Sequence, residues 1–526
     1  MPLRLHQHIR SFSAHAQTER FLAVNLTIGL GHFLVLFNGG AYLPMIPRIA
    51  ASLGRNSVYG DWTQDLYFLA LGLALPMARW VSGRFGDRDG LLACFAVIAA
   101  TSLVNASSSS YPPFLLARIV AGFAGGLSIP LSLNLLLRHY HADHRDHGLL
   151  LWGFAAVTPF ALGPAVGGWI DDAWGWRWLF LLNIPIALVS FLGVLLWEEK
   201  SEIQTSVAMD WVGYLLLCTA FLTMEMLLNL GSIDDWWRAP QIRFLFFLTL
   251  ILGLAAGLWL RSRTQPAVDL DLFALHNFPI AALGIWLTAV LFQGTLALFI
   301  VQYQISFAFS AREIGFHLLP MALFAPLSAA LSHWYLARHD PRWLTLGAML
   351  ILAVAAFWLS SYNLPASPTS LSWPPMLVGL GLGASFAAWA RLGICGLSGP
   401  RELRAAGLLN LLRSSGQAMG IPAIAALWER RLDLHRHFLV EARGGNLSRW
   451  REALHRLTSQ LSPAGARQHM AGLLRTHAAM IAFNEIYYVA GWLFVGLAGL
   501  SLLARRKLPE AEDTAEQTAI AELVEP

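Results

Sequence analysis

Apolar residues in this chain fall in long runs, roughly 17 to 25 residues each and almost free of Asp, Glu, Lys and Arg, with the charges bunched between them. A helix needs about 20 such residues to cross roughly 30 Å of hydrocarbon, and it satisfies its own backbone hydrogen bonds while doing so. The pattern predicts spans at residues 21–45, 63–82, 91–108, 112–137, 148–170 and 177–197, then a pair at 211–230 and 243–261. A second set of six follows at 278–306, 313–336, 342–361, 372–396, 403–427 and 479–504, giving fourteen in all. The fold class is therefore an all-α membrane protein, organised as residues 1–20, a six-helix unit over 21–197, a linking pair over 211–261, a second six-helix unit over 278–504 and a tail over 505–526.

Lys and Arg in the short loops set the orientation. With the N-terminus inside, the inner loops carry Arg84, Arg88, Arg138, Arg145, Lys200, Arg261, Arg263, Arg338, Arg342, Arg401 and Arg404, and the tail opens on Arg505, Arg506 and Lys507. The opposite loops are mostly poorer in Lys and Arg: NASSSSYPP is uncharged, SLSWPP is neutral, and WIDDAWGWRW and GSIDDWWRAP are acidic and rich in Trp, which suits a membrane interface. One loop dissents: residues 428–477 are rich in Arg, yet the even count puts them outside. Leu447, Trp450, Leu454, Leu457 and Leu461 draw an apolar stripe along this loop at helical spacing, which packs either on the protein's own outer face or on a partner. Both termini are expected in the cytoplasm, and the first apolar run exceeds the roughly 7 to 15 residues of a cleaved signal core.

Composition agrees: 56% of residues are hydrophobic and 13% charged, with mean hydropathy +0.53. The net charge of +4 is scattered over loops and reads as membrane topology, so no nucleic-acid partner is expected. Cys94, Cys218 and Cys395 each lie in an apolar run and have no disulfide or metal spacing. His139, His141, His144 and His147 crowd one loop, where a solvated turn is the default, so no metal is expected. A phosphate-cradling loop with the G-x-x-x-x-G-K spacing is missing, as is any nucleophile and base at helical spacing, so the chain reads as neither ATP-driven nor an enzyme, with no cofactor.

Several motifs carry a resemblance. LGPAVGGWIDDAWGWRWLFLLNIPIAL, on and after the fifth span, places Gly163, Gly167 and Gly168 where a neighbouring helix can approach closely, and Pro164 where the ladder is weakened. On the fourth span FLLARIVAGFAGG puts a charge, Arg118, inside an apolar run, with Gly122 four residues on and Ala121 between. PMARWVSGRFGDRDG, between spans two and three, is a charged tight turn containing Arg84, Gly86, Asp87 and Arg88, and YLARHDPRW echoes it in the second half. On the thirteenth span GLLNLLRSSGQAMG aligns Asn410, Arg413, Gly416 and Gly420. Over about residues 21–505 the chain resembles the fourteen-span drug:proton antiporter branch of the major facilitator superfamily.

That resemblance implies two six-helix bundles with two extra helices, rocking about a central cavity, and proton-driven export of amphipathic or lipophilic compounds across the inner membrane. It also implies a coupling role for Arg118, an antiporter motif at Gly163, Pro164, Gly167 and Gly168, and a latch in the 84–88 turn, whose two possible registers leave open which carboxylate serves. Where the family has an Asp on the first span, this chain has Asn38, which carries no proton. Asp65, Glu225 and Glu485, each in or at the end of an apolar run, are the acids able to replace it, in that order. Asn38, Gln293, Gln302, Gln304, Asn410 and Arg413 are the polar candidates for the cargo cavity. A periplasmic adaptor and an outer-membrane channel are the partners the resemblance brings with it. The rival readings are a dedicated exporter of one metabolite, such as a siderophore or fatty acid, and a non-transporting membrane sensor or scaffold.

Overall fold

A computed structural model describes residues 2–140, 145–200, 203, 208–234, 236–363, 368–442, 452, 455–458 and 462–505. Among them every regular element is helical. Thirteen helices are long and apolar enough to cross a membrane: α1 (Phe21–Ser52), α2 (Ser57–Phe85), α3 (Asp87–Ser107), α4 (Tyr111–Arg138), α5 (Trp152–Trp174), α6 (Arg177–Trp197), α7 (Trp211–Gly231), α8 (Pro240–Arg261), α9 (Asn277–Ser306), α10 (Ala311–Leu336), α11 (Pro341–Ser360), α12 (Ser370–Gly393) and α14 (Pro463–Leu502). The expected fourteenth, α13 (Gly399–Ala442), is present as a helix but is not among the thirteen, because Arg413, Ser414, Ser415 and Gln417 interrupt its most apolar stretch.

Alternating direction places the start of α1 and the end of α14 at one face, here the near face, and the α1–α2 turn at the far face. Helices α1 to α6 pack as one bundle and α9 to α14 as another. The bundles meet along α5 against α10 and α2 against α13. Helix α7 lies against α2 and α13, and α8 packs outside α7 with most of its surface free of protein. The extra pair is pinned at its near end: Asp210 caps α7, accepts from Trp259 Nε1 of α8 at 3.0 Å, and Tyr214 donates to the Leu73 carbonyl of α2 at 2.9 Å.

Two boundaries differ from the hydropathy reading. Residues 428–477 are not one loop, because α13 continues to Ala442 and α14 begins at Pro463, with Ser462 capping it through the Gly465 amide at 3.1 Å. Both extensions are too polar for an apolar-run criterion yet good helix formers, so only their hydropathy changes at the membrane face. Leu447, Trp450, Leu454 and Leu461 of the predicted stripe lie outside the described residues, as do His141, His144 and the tail from residue 506.

Backbones approach most closely along α5. A Cβ on Gly163 or Gly167 would stand 2.4 Å or 2.2 Å from the Ala41 backbone of α1, and one on Gly40 would stand 2.2 Å from the Phe160 carbonyl. Gly168 faces the other bundle, where a Cβ would meet the Ala311 carbonyl at 2.0 Å. The glycine-rich stretch thus locks α5 to α1 and rests it on the far end of α10.

Candidate functional site

The seam between the bundles is sealed on its far half. Residues 38–46 of α1 and 414–422 of α13 are buried on every side, and Gly168 abuts α10. Toward the near face the packing opens: residues 152–155 of α5 are half-exposed, Asn410 is exposed, and neither Gly153 nor Gly407 has a neighbour within 4 Å of a Cβ position. Phe160 and Phe292 bridge the bundles at mid-depth with ring centroids 6.1 Å apart, and Phe292 meets Phe386 at 6.5 Å. On the near side of these rings His32 stacks on Trp152 at 4.3 Å, and Arg413 lies over Phe386 at 5.6 Å and within electrostatic reach of His32. Arg413 also bonds Asn410 and Gln417, each at 3.3 Å. Among the described residues this is an aromatic vestibule with one guanidinium, Arg413, open to the near face.

Of the six predicted cavity residues, Asn410 and Arg413 line this vestibule. The other four do not. Gln302 donates to Met480 sulfur at 3.3 Å inside the second bundle, Gln293 is fully buried against α13 beside Gly420, and Gln304 lies at the far end of α9. Asn38 belongs to the first bundle's interior, where it exchanges paired hydrogen bonds with Asn183 of α6, at 3.1 Å and 2.9 Å. A neutral amide pair needs both partners to donate and accept, which an ionised Asp at position 38 would not do. Sequence spacing does not show which helix face meets which bundle, and packing places these four away from the vestibule.

The buried acids cluster on the far half, between α2 and α7. Asp65 is 0% exposed and Glu225 1%, and they lie within electrostatic reach of each other. Asn229, one turn on from Glu225, donates to its carboxylate at 2.9 Å and also faces Asp65. No ion pair holds either acid among the described residues. Asp61, one turn before Asp65, extends the group toward Glu429 of α13; the sequence reading passed over it although its i, i+4 spacing to Asp65 was visible. Glu485 does not belong here. Its side chain is 39% exposed and pairs with His435 at 2.9 Å and Arg431 at 3.7 Å on the α13 extension, so it is a surface tie between α13 and α14.

Arg118 is 1% exposed and sits between the faces of Tyr42 at 4.3 Å and Tyr67 at 4.2 Å. It donates to Gln64 Oε1 at 2.7 Å, and Gln64 donates to the Gly39 carbonyl at 2.6 Å. Arg118 therefore joins α4 to α2 and α1, one residue along α2 from Asp65. The tyrosine faces come from two helices distant in sequence, so no motif announced them.

At the near face, Gly86 turns the chain with φ +83°, a conformation that favours glycine. Asp87 is buried, ion-paired with Arg138, and accepts from Asn134 at 3.2 Å, which assigns the turn's structural carboxylate to Asp87. Arg88 pairs with Asp89 at 3.1 Å and donates to the Leu195 carbonyl at 2.8 Å, whereas Arg84 is exposed. In the second-half echo Asp340 holds Arg342 at 2.7 Å, and Arg342 donates to the Ala504 carbonyl at 3.1 Å. His139 pairs with Glu198 at 2.8 Å, and no metal-binding cluster occurs among the described residues.

The sequence model of the Major Facilitator Superfamily matches residues 28–421. The chain is 26% identical to the fatty acid resistance protein FarB of Neisseria gonorrhoeae, over 92% of this chain and 96% of that one. It is 25% identical to the multidrug export protein EmrB of Escherichia coli, over 92% and 96%. Among solved structures, the human organic anion transporter MFSD10 superposes with a TM-score of 0.57 at 16% identity, covering 90% of this chain and 99% of that one. A bacterial homologue of the human drug peptide transporters superposes with a TM-score of 0.56 at 14% identity, over 92% and 98%. Two packed six-helix bundles with an extra helical pair among the described residues, and a family match across three quarters of the sequence, lead to one assignment: the chain belongs to the Major Facilitator Superfamily.

Proposed function

We propose that this protein exports amphipathic or lipophilic compounds across the bacterial inner membrane in exchange for protons, with its near face in the cytoplasm. The observation that carries the proposal is the pair of buried acids, Asp65 and Glu225, unmatched by any basic side chain among the described residues and set at the seam where the bundles move. A carboxyl group kept in a span without an ion pair is costly unless it is protonated for part of its working cycle. Asp65 takes and releases the proton, Glu225 with Asn229 passes it on, and Arg118 holds α2 in register through Gln64. Cargo enters the aromatic vestibule from the near face. The rocking of the bundles then closes that mouth and opens the far seal. Relatives named for multidrug export and fatty acid resistance support export as the activity.

Arg413 favours a narrower second reading, in which the preferred cargo is a lipophilic anion such as a fatty acid. Its guanidinium has amide and aromatic partners but no carboxylate among the described residues of the vestibule, so a cargo carboxylate completes it. Purified protein in proteoliposomes tests both readings. An imposed pH gradient drives cargo uptake in the wild type, and Asp65→Asn abolishes gradient-driven movement while leaving cargo binding. If the variant transports as well as the wild type, proton coupling through Asp65 is wrong. Arg413→Ala separates the cargo classes, lowering export of fatty acids but not of lipophilic cations.

A further inference from the structure

Inside the first bundle, away from the vestibule, lies a small cavity with room for roughly one water-sized group. Its polar lining comes from Asn38, Ser102, Asn105, Arg118 and Asn183. We propose that this cavity is a binding site for a small monovalent anion, chloride under ordinary conditions, which serves as the counter-ion of Arg118.

The argument begins with charge. A guanidinium stays protonated under all ordinary conditions, and a buried charge without a counter-ion is costly by several kcal/mol. Among the described residues the contacts of Arg118 are a neutral amide, two tyrosine faces and the Phe180 ring, none of which carries a formal negative charge. Its Nε–H is buried without an acceptor among the described residues, and Arg118 is one of the residues that line the cavity. The carboxylate adjacent in sequence to Gln64 is Asp65, which faces α7 instead, and in the proposed cycle it is neutral whenever it carries the proton.

The facing wall is built to accept an anion. Asn105 is 1% exposed and its amide oxygen has no donor; the two amide ends of an Asn are interchangeable by rotation, and turning it offers Nδ2 to the cavity. Asn183 donates to Ser102 Oγ at 3.4 Å, which leaves the Ser102 hydroxyl free to donate into the cavity, while the N–H groups of Asn38 and Asn183 are spent on Leu34, on each other and on Ser102 and close the lining without adding charge. A single water satisfies the hydrogen bonds of such a site but leaves the charge uncompensated. The shell is neutral or positive throughout, and the cavity is too small for an organic carboxylate.

Unfolding of the detergent-purified full chain, followed by tryptophan fluorescence without cargo, tests this independently of export. Sodium gluconate is replaced stepwise by chloride or bromide at constant ionic strength. The wild type is expected to show a saturable rise in unfolding temperature on the order of 2 °C. Asn105→Asp places a fixed carboxylate on the cavity wall and is expected to lose that rise, as is Asn38→Asp from another helix. Bromide anomalous density beside Arg118 provides a second reading should either variant fold poorly. No halide effect in the wild type, an equal effect in Asn105→Asp, or bromide only at other positions overturns the site; a water-filled cavity gives the first of these.

Discussion

Gly168→Ala adds one methyl group at the contact between bundles, and its effect follows from the geometry. The new Cβ falls 2.0 Å from the Ala311 carbonyl oxygen, roughly 1.4 Å short of ordinary contact, and the obstacle is backbone that no rotamer change can remove. Overpacking of this kind costs about 1 to 3 kcal/mol. The cost is borne only where α5 and α10 touch at the far end, so it weighs against the near-open arrangement and not against the far-open one. The ratio of far-open to near-open protein should rise by about 5- to 150-fold. Maleimide labelling reads this directly. Leu318→Cys, buried in α10 beside the seal, is placed in a background with Cys94, Cys218 and Cys395 replaced by Ala, and its labelling rate follows the far-open population. Gly167→Ala is the control. It adds an equal methyl 2.2 Å from the Ala41 carbonyl within the first bundle, so it should lower stability without accelerating labelling. Equal labelling rates in the two variants would refute the division of labour between adjacent glycines.

Other changes test the remaining parts. Asn183→Leu strands the Asn38 amide inside the first bundle and should cost about 1 to 3 kcal/mol, visible as a lower unfolding temperature in detergent. Asp87→Asn removes the buried partner of Arg138, which is itself half-exposed, so about 1 kcal/mol and slower transport are expected, measured by thermal unfolding and cargo flux. Glu485→Gln should leave proton-driven flux at the wild-type rate, because that side chain ties two surface helices together; a loss comparable to Asp65→Asn in the same flux assay would return it to the coupling group.

Much of the architecture was legible because a bilayer imposes a length and a polarity on every span, and both are linear properties of sequence. Helix bounds were less so wherever the helix outlived its apolar stretch, as at Ala442 and Pro463. The candidate site divides along the same line. Asp65, Arg118 and Glu225 stood out as charges within apolar runs, and their burial follows from that setting. The tyrosine pair around Arg118, the Asn38–Asn183 amide pair and the His32–Trp152 stack join residues far apart in the chain, and only packing brings them together. Gln302 shows the converse: a polar residue in a span suggests a pathway lining, whereas its partner in this structure is a methionine of its own bundle.

The length of α13 has a mechanical consequence. At 1.5 Å per residue, the stretch from residue 427 to Ala442 carries the helix roughly 22 Å past the apolar span expected from the sequence, with the start of α14 running back beside it. A rigid rod fixed to a tilting body magnifies the tilt at its tip. If the second bundle tips by about 10°, a point near 35 Å from the pivot sweeps roughly 6 Å, several times the shift at the carboxylates in the seam. The antiparallel stalk therefore works as a pointer, displaying outside the membrane which way the transporter faces.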